Sequence, residues 1–296
     1  MTLSKFSLSV GLALSAKGIL LMGLLLDPMA VRGKPKPVES DLCQRLAPVA
    51  HILEQKEYYT WDPVALDGPD GKVHLYFSRW PADTHMVGWL THSEVAHAVA
   101  DRPEGPYRVT GVVLKGAGGE AWDADSVHNP QVQKIGNQYI MVYMGRSNKS
   151  GFGQFTGIAV SDRPEGPFRR ISDQPVIPPS PLGAWDYNNQ CNPALLVHPN
   201  GEFWLYYKGR TGEKRSVGLA ISKRLEGPYQ RHASNPVIVA RNEDLEDYFI
   251  WYEDNLFKML IRDRSGELLK DGGMYYESDD GVNWSEPTLA FYTHPE

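Results

Sequence analysis

The strings ADRPEGPYR from Ala100, SDRPEGPFR from Ser161 and SKRLEGPYQ from Ser222 recur at a constant interval of 61 residues, and this interval decides the fold. Self-similarity at a fixed period marks one supersecondary unit repeated along the chain. A weaker fourth copy, SDDGVNW, begins at Ser278.

Working outward, each copy follows an alternating stretch: HSEVAHAVA from His92, FTGIAVS from Phe155, SVGLAIS from Ser216 and GGMYYES from Gly272. Alternation with a period of two reads as a half-buried strand. Upstream of each lies a more aromatic strand, VHLYFSRW from Val73, YIMVYMGR from Tyr139, FWLYYKGR from Phe203 and FKMLIRDR from Phe257. Three of these are entered through Asp70-Gly71, Gly136-Asn137 and Asn200-Gly201, the chemistry of tight hairpins. A third strand is introduced by WDPVAL at Trp61, HNPQVQ at His128, CNPALL at Cys191 and EDYFIW at Glu246. With a short fourth strand after the turn (VTGVVL, PVI, PVIVA), each repeat predicts a four-stranded antiparallel blade, and the chain an all-β propeller.

The propeller domain is expected over 57–296. A linker with a short helix is expected over 34–56, where Leu42, Leu46, Val49 and Leu53 take helical spacing. Residues 1–33 read as an export signal: Lys5, an apolar stretch from Phe6 to Leu26, then small residues around Ala30 and Gly33. Lys17 interrupts that stretch and leaves too short an apolar run for a permanent membrane span. The expected location is periplasmic or secreted. Four repeats are countable, and a fifth inner strand is expected near Glu296. The expectation is therefore a ring of four, a fifth blade absent from this chain, or a second copy that completes it as a homodimer.

The chain has 296 residues with 42% hydrophobic and 22% charged content, as expected of a globular protein. Its net charge of -6 and lack of clustered Lys and Arg exclude a nucleic-acid binder. Two cysteines, Cys43 and Cys191, allow at most one bridge and match no zinc spacing. Eight Trp and 15 Tyr are generous, and such rings either fill sheets or stack on sugars.

In a propeller the inner strands line the axis, so aligned strand openings converge at one end of it. The alignment superimposes Asp62, Asn129, Asn192 and Asp247, putting two carboxylates and two amides in one funnel beside Trp61. Paired carboxylates suit glycosidic bond cleavage. Asp or Asn before Pro is also an ordinary turn starter. AWDADSVHNP from Ala121 and AWDYNNQCNP from Ala184 place Trp122, Asp123, Trp185 and Asp186 either on the funnel rim as sugar contacts or between blades as anchors. His128 opens a blade as an acid, a sugar ligand or a structural group. Arg79, Arg146, Arg210 and Arg262 or Arg264 end the second strands, as fold-level ion pairs or as contacts to an anionic sugar. Glu253 is a reserve acid.

WDP at the first blade, HNP and CNP at later blades, and the SDRPEGPF turn resemble the five-bladed propeller glycosidases of families 43 and 117, over roughly residues 57–290. The resemblance implies a hydrolase of plant or algal polysaccharides, exo-acting and inverting, with Asp62 as general base and Asp247 as a second, tuning acid. It requires no cofactor, although some members hold a cation in the central channel. Asn129 and Asn192 stand where family 43 expects acids, and this departure implies, as an alternative, a carbohydrate-binding propeller without catalysis.

Overall fold

The computed structural model describes residues 36–46, 52–150, 153–211, 214–241, 245–264 and 266–292. The export-signal reading and Val49 lie outside these residues. The chain forms two units, residues 1–36 and 37–296; of the first only Lys36 is described.

The second unit consists of four antiparallel four-stranded sheets, each built from strands consecutive in sequence. The first blade comprises β1 (Tyr58–Asp67), β2 (Val73–Pro81), β3 (Glu94–Ala100) and β4 (Arg108–Leu114). The second is β5 (Ser126–Ile135), β6 (Gln138–Arg146), β7 (Phe155–Ser161) and β8 (Arg169–Arg170). The third is β9 (Cys191–Val197), β10 (Phe203–Thr211), β11 (Lys214–Ser222) and β12 (Gln230–Arg231). The fourth is β13 (Leu245–Glu253), β14 (Leu256–Asp263), β15 (Gly272–Ser278) and β16 (Thr288–Phe291). This all-β ring is the architecture read from the repeats, with one correction. The described residues hold four blades, the fourth complete, as in the ring-of-four alternative, where the family resemblance implied five.

Two finer features also differ. The outer strands of the second and third blades are Arg169–Arg170 and Gln230–Arg231, not the later PVI and PVIVA segments. A turn ending at Pro175 or Pro236 breaks the ladder, because proline has no N–H to give. Each segment then rejoins the third strand: Val176 N donates to Thr156 O at 3.0 Å and Val237 N to Val217 O at 2.8 Å. Of the short helix expected within 34–56, the described residues form Asp41–Arg45, capped by the Ser40 hydroxyl. The segment before it extends the fourth blade: Glu39 bridges Leu289, and Ser40 N donates to Leu289 O at 2.9 Å. No disulfide joins Cys43 and Cys191.

Core packing lies between successive blades, where apolar faces meet. Tyr206, Val217 and Leu219 of the third blade pack with Leu245, Met259 and Met274 of the fourth. Tyr76 and Val95 pack with Val127, Met141 and Tyr143 across the first and second. Tyrosine hydroxyls tie blades at the repeated turn: Tyr76 donates to Pro164 O at 2.7 Å, and Tyr206 to Gly281 O at 2.8 Å. Burying such a ring with its hydroxyl satisfied combines apolar area with a fixed register.

Candidate active site

Each inner strand opens with the same local device. Pairing slips by one residue between Trp61 and Val64, between His128 and Gln131, between Cys191 and Ala194, and between Glu246 and Tyr248. One extra residue on the inner strand is a β-bulge, which re-aims a side chain. The residues at the bulges are Asp62, Asn129, Asn192 and Asp247, with φ of 52°, 47°, 46° and 58°. Left-handed backbone is open to Asn and Asp and costly for most other L-residues. The four superimposed positions thus share a backbone requirement as well as a place.

All four line one axial cavity of about 130 Å³ with Pro63, Pro130 and Pro193. Asp247 Oδ1 accepts the amide of Asn192 at 2.8 Å and that of Asn129 at 3.0 Å. The Asp62 carboxyl is pushed well above the usual carboxylate range by burial, then by the negative charges of Asp247 and Glu246. Burial, then Glu246, also raises Asp247, against Lys208, the Asn192 amide and Arg262. Two nearby carboxyls of this kind titrate as a pair.

A larger cavity of about 320 Å³ shares Asn129, Asn192 and Asp247 with the first. One wall is aromatic, formed by Trp61, Trp80 and Trp89. His128 lies between the last two, with ring centroids at 5.5 Å and 5.6 Å. Its Nδ1 is 2.7 Å from Ser93 Oγ, and burial, then Lys208, pushes it down to about 3. His128 therefore stays neutral and suits a hydrogen-bonding role, not that of a cationic acid.

The rest of the lining is largely charged. Buried Lys208 contacts Glu246 at 2.7 Å, and Arg264 reaches the other oxygen of Glu246 at 2.6 Å. Burial alone would raise Glu246, but Lys208 and Arg264 prevail and hold it at about 2. Of the predicted arginines, Arg210 and Arg262 also line this cavity, Arg262 with its guanidinium 5.9 Å from the Trp61 ring centroid.

Other predicted residues sit elsewhere. Trp122 stacks on Tyr143 at 6.0 Å and Trp185 on Tyr207 at 5.9 Å, each against a second-strand glycine, Gly145 or Gly209, whose Cβ would collide with the ring. Asp123 is buried, accepting Tyr143 Oη at 2.9 Å and Arg170 Nε at 2.7 Å. Asp186 repeats this with Tyr207 at 2.9 Å and Arg231 at 2.8 Å. These four line neither cavity, so the anchor alternative describes their placement. Arg79 pairs with Glu94 at 2.9 Å, and Arg146 is buried against the Leu90 carbonyl; neither lines the cavities. Glu253 is exposed and paired with Lys258 at 2.9 Å.

Sequence reasoning missed Lys208, Glu246, Arg215, Trp80 and Trp89. A signal existed for two of them: Lys208 and Arg210 are two apart on one strand and share a face, and Glu246 immediately precedes an aligned bulge. Trp89 sits in an insertion between β2 and β3 that the repeat does not contain.

No family model matches the chain, and no curated protein matches it. Among solved structures it is similar to Zg3597, a family 117 glycoside hydrolase of the marine bacterium Zobellia galactanivorans, with 21% identity, a TM-score of 0.67, and coverage of 81% of this chain and 71% of that one. It is also similar to an endo-arabinase from Bacteroides thetaiotaomicron (17% identity, TM-score 0.56, 77% and 80% covered). A third is CoXyl43, a family 43 β-xylosidase/α-arabinofuranosidase from a compost metagenome, in complex with xylotriose (17%, 0.55, 82% and 80%). At these identities the likeness establishes the propeller fold.

Proposed function

We propose that the chain is an exported glycoside hydrolase, exo-acting and inverting, that acts on a plant or algal oligosaccharide. The observation that carries this reading is the meeting of Asp62 and Asp247, from the first and fourth blades, at equivalent bulges on one axial cavity. A carboxylate held more basic than usual suits a general base for water. Asp62, raised by burial and by its neighbours, is that base: it takes a proton of the water whose oxygen bonds to the anomeric carbon as the glycosidic C–O bond breaks, and the leaving oxygen takes its proton from solvent water. Asp247, fixed by two amides, orients the site and tunes Asp62. The tryptophan wall supplies faces for a pyranose ring.

An axial cation takes oxygen ligands, and the cavity offers the Asp62 and Asp247 carboxylates with Asn192 Oδ1, which is buried without a hydrogen-bond partner, so these residues could hold one as a structural ion.

One observation favours a second reading, a carbohydrate-binding propeller without turnover. His128 is held neutral and Glu246 ionised, so outside the aspartate pair neither is poised to protonate the leaving oxygen.

The test is mass-spectrometric product detection after incubating the protein and Asp62→Asn with neutral, uronic and sulfated oligosaccharides. Monosaccharide release by the parent alone supports the hydrolase and its base. Binding by both proteins with no product supports the second reading.

A further inference from the structure

Two buried histidines interrupt an otherwise apolar register. The strand pairing of the first three blades superimposes His74 on Ile140 and Trp204, and His97 on Ile158 and Leu219. All four counterparts are buried, whereas the first blade buries two imidazoles side by side with ring centroids 5.1 Å apart. Burying polar rings costs free energy where isoleucine serves, so packing alone does not account for them. His74 lines neither axial cavity. It sits on β2 two residues before Tyr76, on the same face, and Tyr76 Oη donates to Pro164 O of the second blade at 2.7 Å.

The two rings belong to a row that ends on a carboxylate. His97 Nδ1 is 2.6 Å from Thr110 Oγ1, His97 Nε2 is 2.9 Å from His74 Nδ1, and His74 Nε2 is 3.1 Å from Asp70 Oδ1. Thr110 has one hydroxyl proton, which it donates to the His97 carbonyl at 3.1 Å. Its oxygen then accepts from His97 Nδ1–H, and His97 Nε2 accepts from His74 Nδ1–H. His74 Nε2 is left with a lone pair aimed at the Asp70 carboxylate, and two acceptors at that distance need a cation between them. Glu165, in the turn between β7 and β8, brings a third acceptor: one oxygen from each carboxylate and a His74 ring nitrogen all lie within 4.8 Å of one another. Among the described residues Glu165 makes no hydrogen bond or ion pair that would hold it elsewhere. A proton serves one pair of acceptors along a line, whereas a metal ion takes three donors at once.

We propose that Asp70, His74 and Glu165 bind a first-row divalent metal ion of the zinc type, which fastens the first blade to the second. One imidazole nitrogen with two carboxylates suits Zn²⁺ and not Mg²⁺ or Ca²⁺, which take oxygen ligands. Metal bonds of about 2.0–2.2 Å put tetrahedral ligand atoms about 3.4 Å apart, so the His74–Asp70 pair is already close to that spacing. Asp70 and Glu165 are exposed and reach it by side-chain rotation. His97 is a positioning residue, because a ligating imidazole gives its other N–H to an acceptor that fixes the tautomer and the ring. The site stands independently of the sugar-site reading.

The experiment uses the full chain, stripped with EDTA and dialysed, then titrated with ZnCl₂, MgCl₂ or CaCl₂ by calorimetry while thermal melts follow stability. The variants are Asp70→Asn and Glu165→Gln, whose side chains are exposed and leave the core intact, and as a control Glu104→Gln, the equivalent turn residue of the first repeat. One Zn²⁺ binds per chain and raises the melting temperature, and Mg²⁺ and Ca²⁺ do neither. Each ligand variant weakens zinc binding about tenfold or more, and Glu104→Gln keeps it. His74→Ile, which installs the residue type of the second blade, abolishes binding; if it does not fold, the two exposed variants decide. No zinc binding by the parent, an equal response to Mg²⁺ or Ca²⁺, or zinc binding that survives both Asp70→Asn and Glu165→Gln overturns the proposal.

Discussion

Asn192 donates its amide to Asp247 Oδ1 at 2.8 Å, joining the bulge of the third blade to that of the fourth, and Asn129 reaches the same oxygen from the second. Each bond favours the ionised carboxylate. In Asn192→Ala that support is lost, Asp247 rises further, and its partner Asp62 is affected through their shared titration. The acidic limb of the pH–rate profile should move up by about one unit, because a hydrogen bond to a charged group is worth about 1.5–3 kcal/mol. A pH profile of product release checks this, and an unmoved limb removes Asp247 from the titrating pair.

Asp62 should cost the fold stability. Its folded pKa lies above the unfolded value, so the native state binds more protons and stability falls as pH rises from near 3.8 through the folded pKa. Asp62→Asn keeps the shape, abolishes turnover, and should stabilise the protein at pH 8 by roughly 1 kcal/mol with little effect at pH 4. Denaturant melts at the two pH values decide it; a destabilised variant at pH 8 contradicts the account.

Glu246 has the opposite sign. Its pKa is depressed from 4.5 to about 2. The stability it contributes is present above about pH 4.5 and lost as pH falls toward 2, amounting to about 3 kcal/mol. Glu246→Ala leaves Lys208 buried without its carboxylate and should destabilise by about 3–5 kcal/mol at pH 7. Adding Lys208→Met should recover much of that loss, which a double-mutant cycle measures.

Asp186 separates anchoring from binding. Asp186→Ala strands the Tyr207 hydroxyl and Arg231, and should cost about 2–4 kcal/mol in denaturant melts. The KM of a turned-over substrate should stay unchanged, since Asp186 lines neither cavity. A raised KM with unchanged stability would return the residue to the sugar site.

The repeat made the blades legible because turn chemistry and strand alternation are local and were written four times over. Aligning the openings of the inner strands located Asp62, Asn129, Asn192 and Asp247 at one place on the axis, and the cavity gathers all four. What local pattern cannot show is which face of a long side chain meets which neighbour. Trp122 and Trp185 read equally as rim platforms or anchors until Gly145 and Gly209 are seen to leave room for their rings. Arg146 and Arg210 occupy equivalent repeat positions, yet the Leu90 carbonyl takes one while the other lines the cavity. Trp89 was hidden because it lies in an insertion, outside the period.

The left-handed backbone at the four bulges also bears on how this site can change. Asn and Asp are nearly isosteric and tolerate that φ alike, so exchanging one for the other at position 62, 129, 192 or 247 leaves the blade geometry intact while moving a unit of charge around the axis. The ring is thus a scaffold on which acidity is editable one position at a time. Variants of one fold can differ in the number and placement of their carboxylates, and so in reaction outcome, with no repacking of the sheets that hold them.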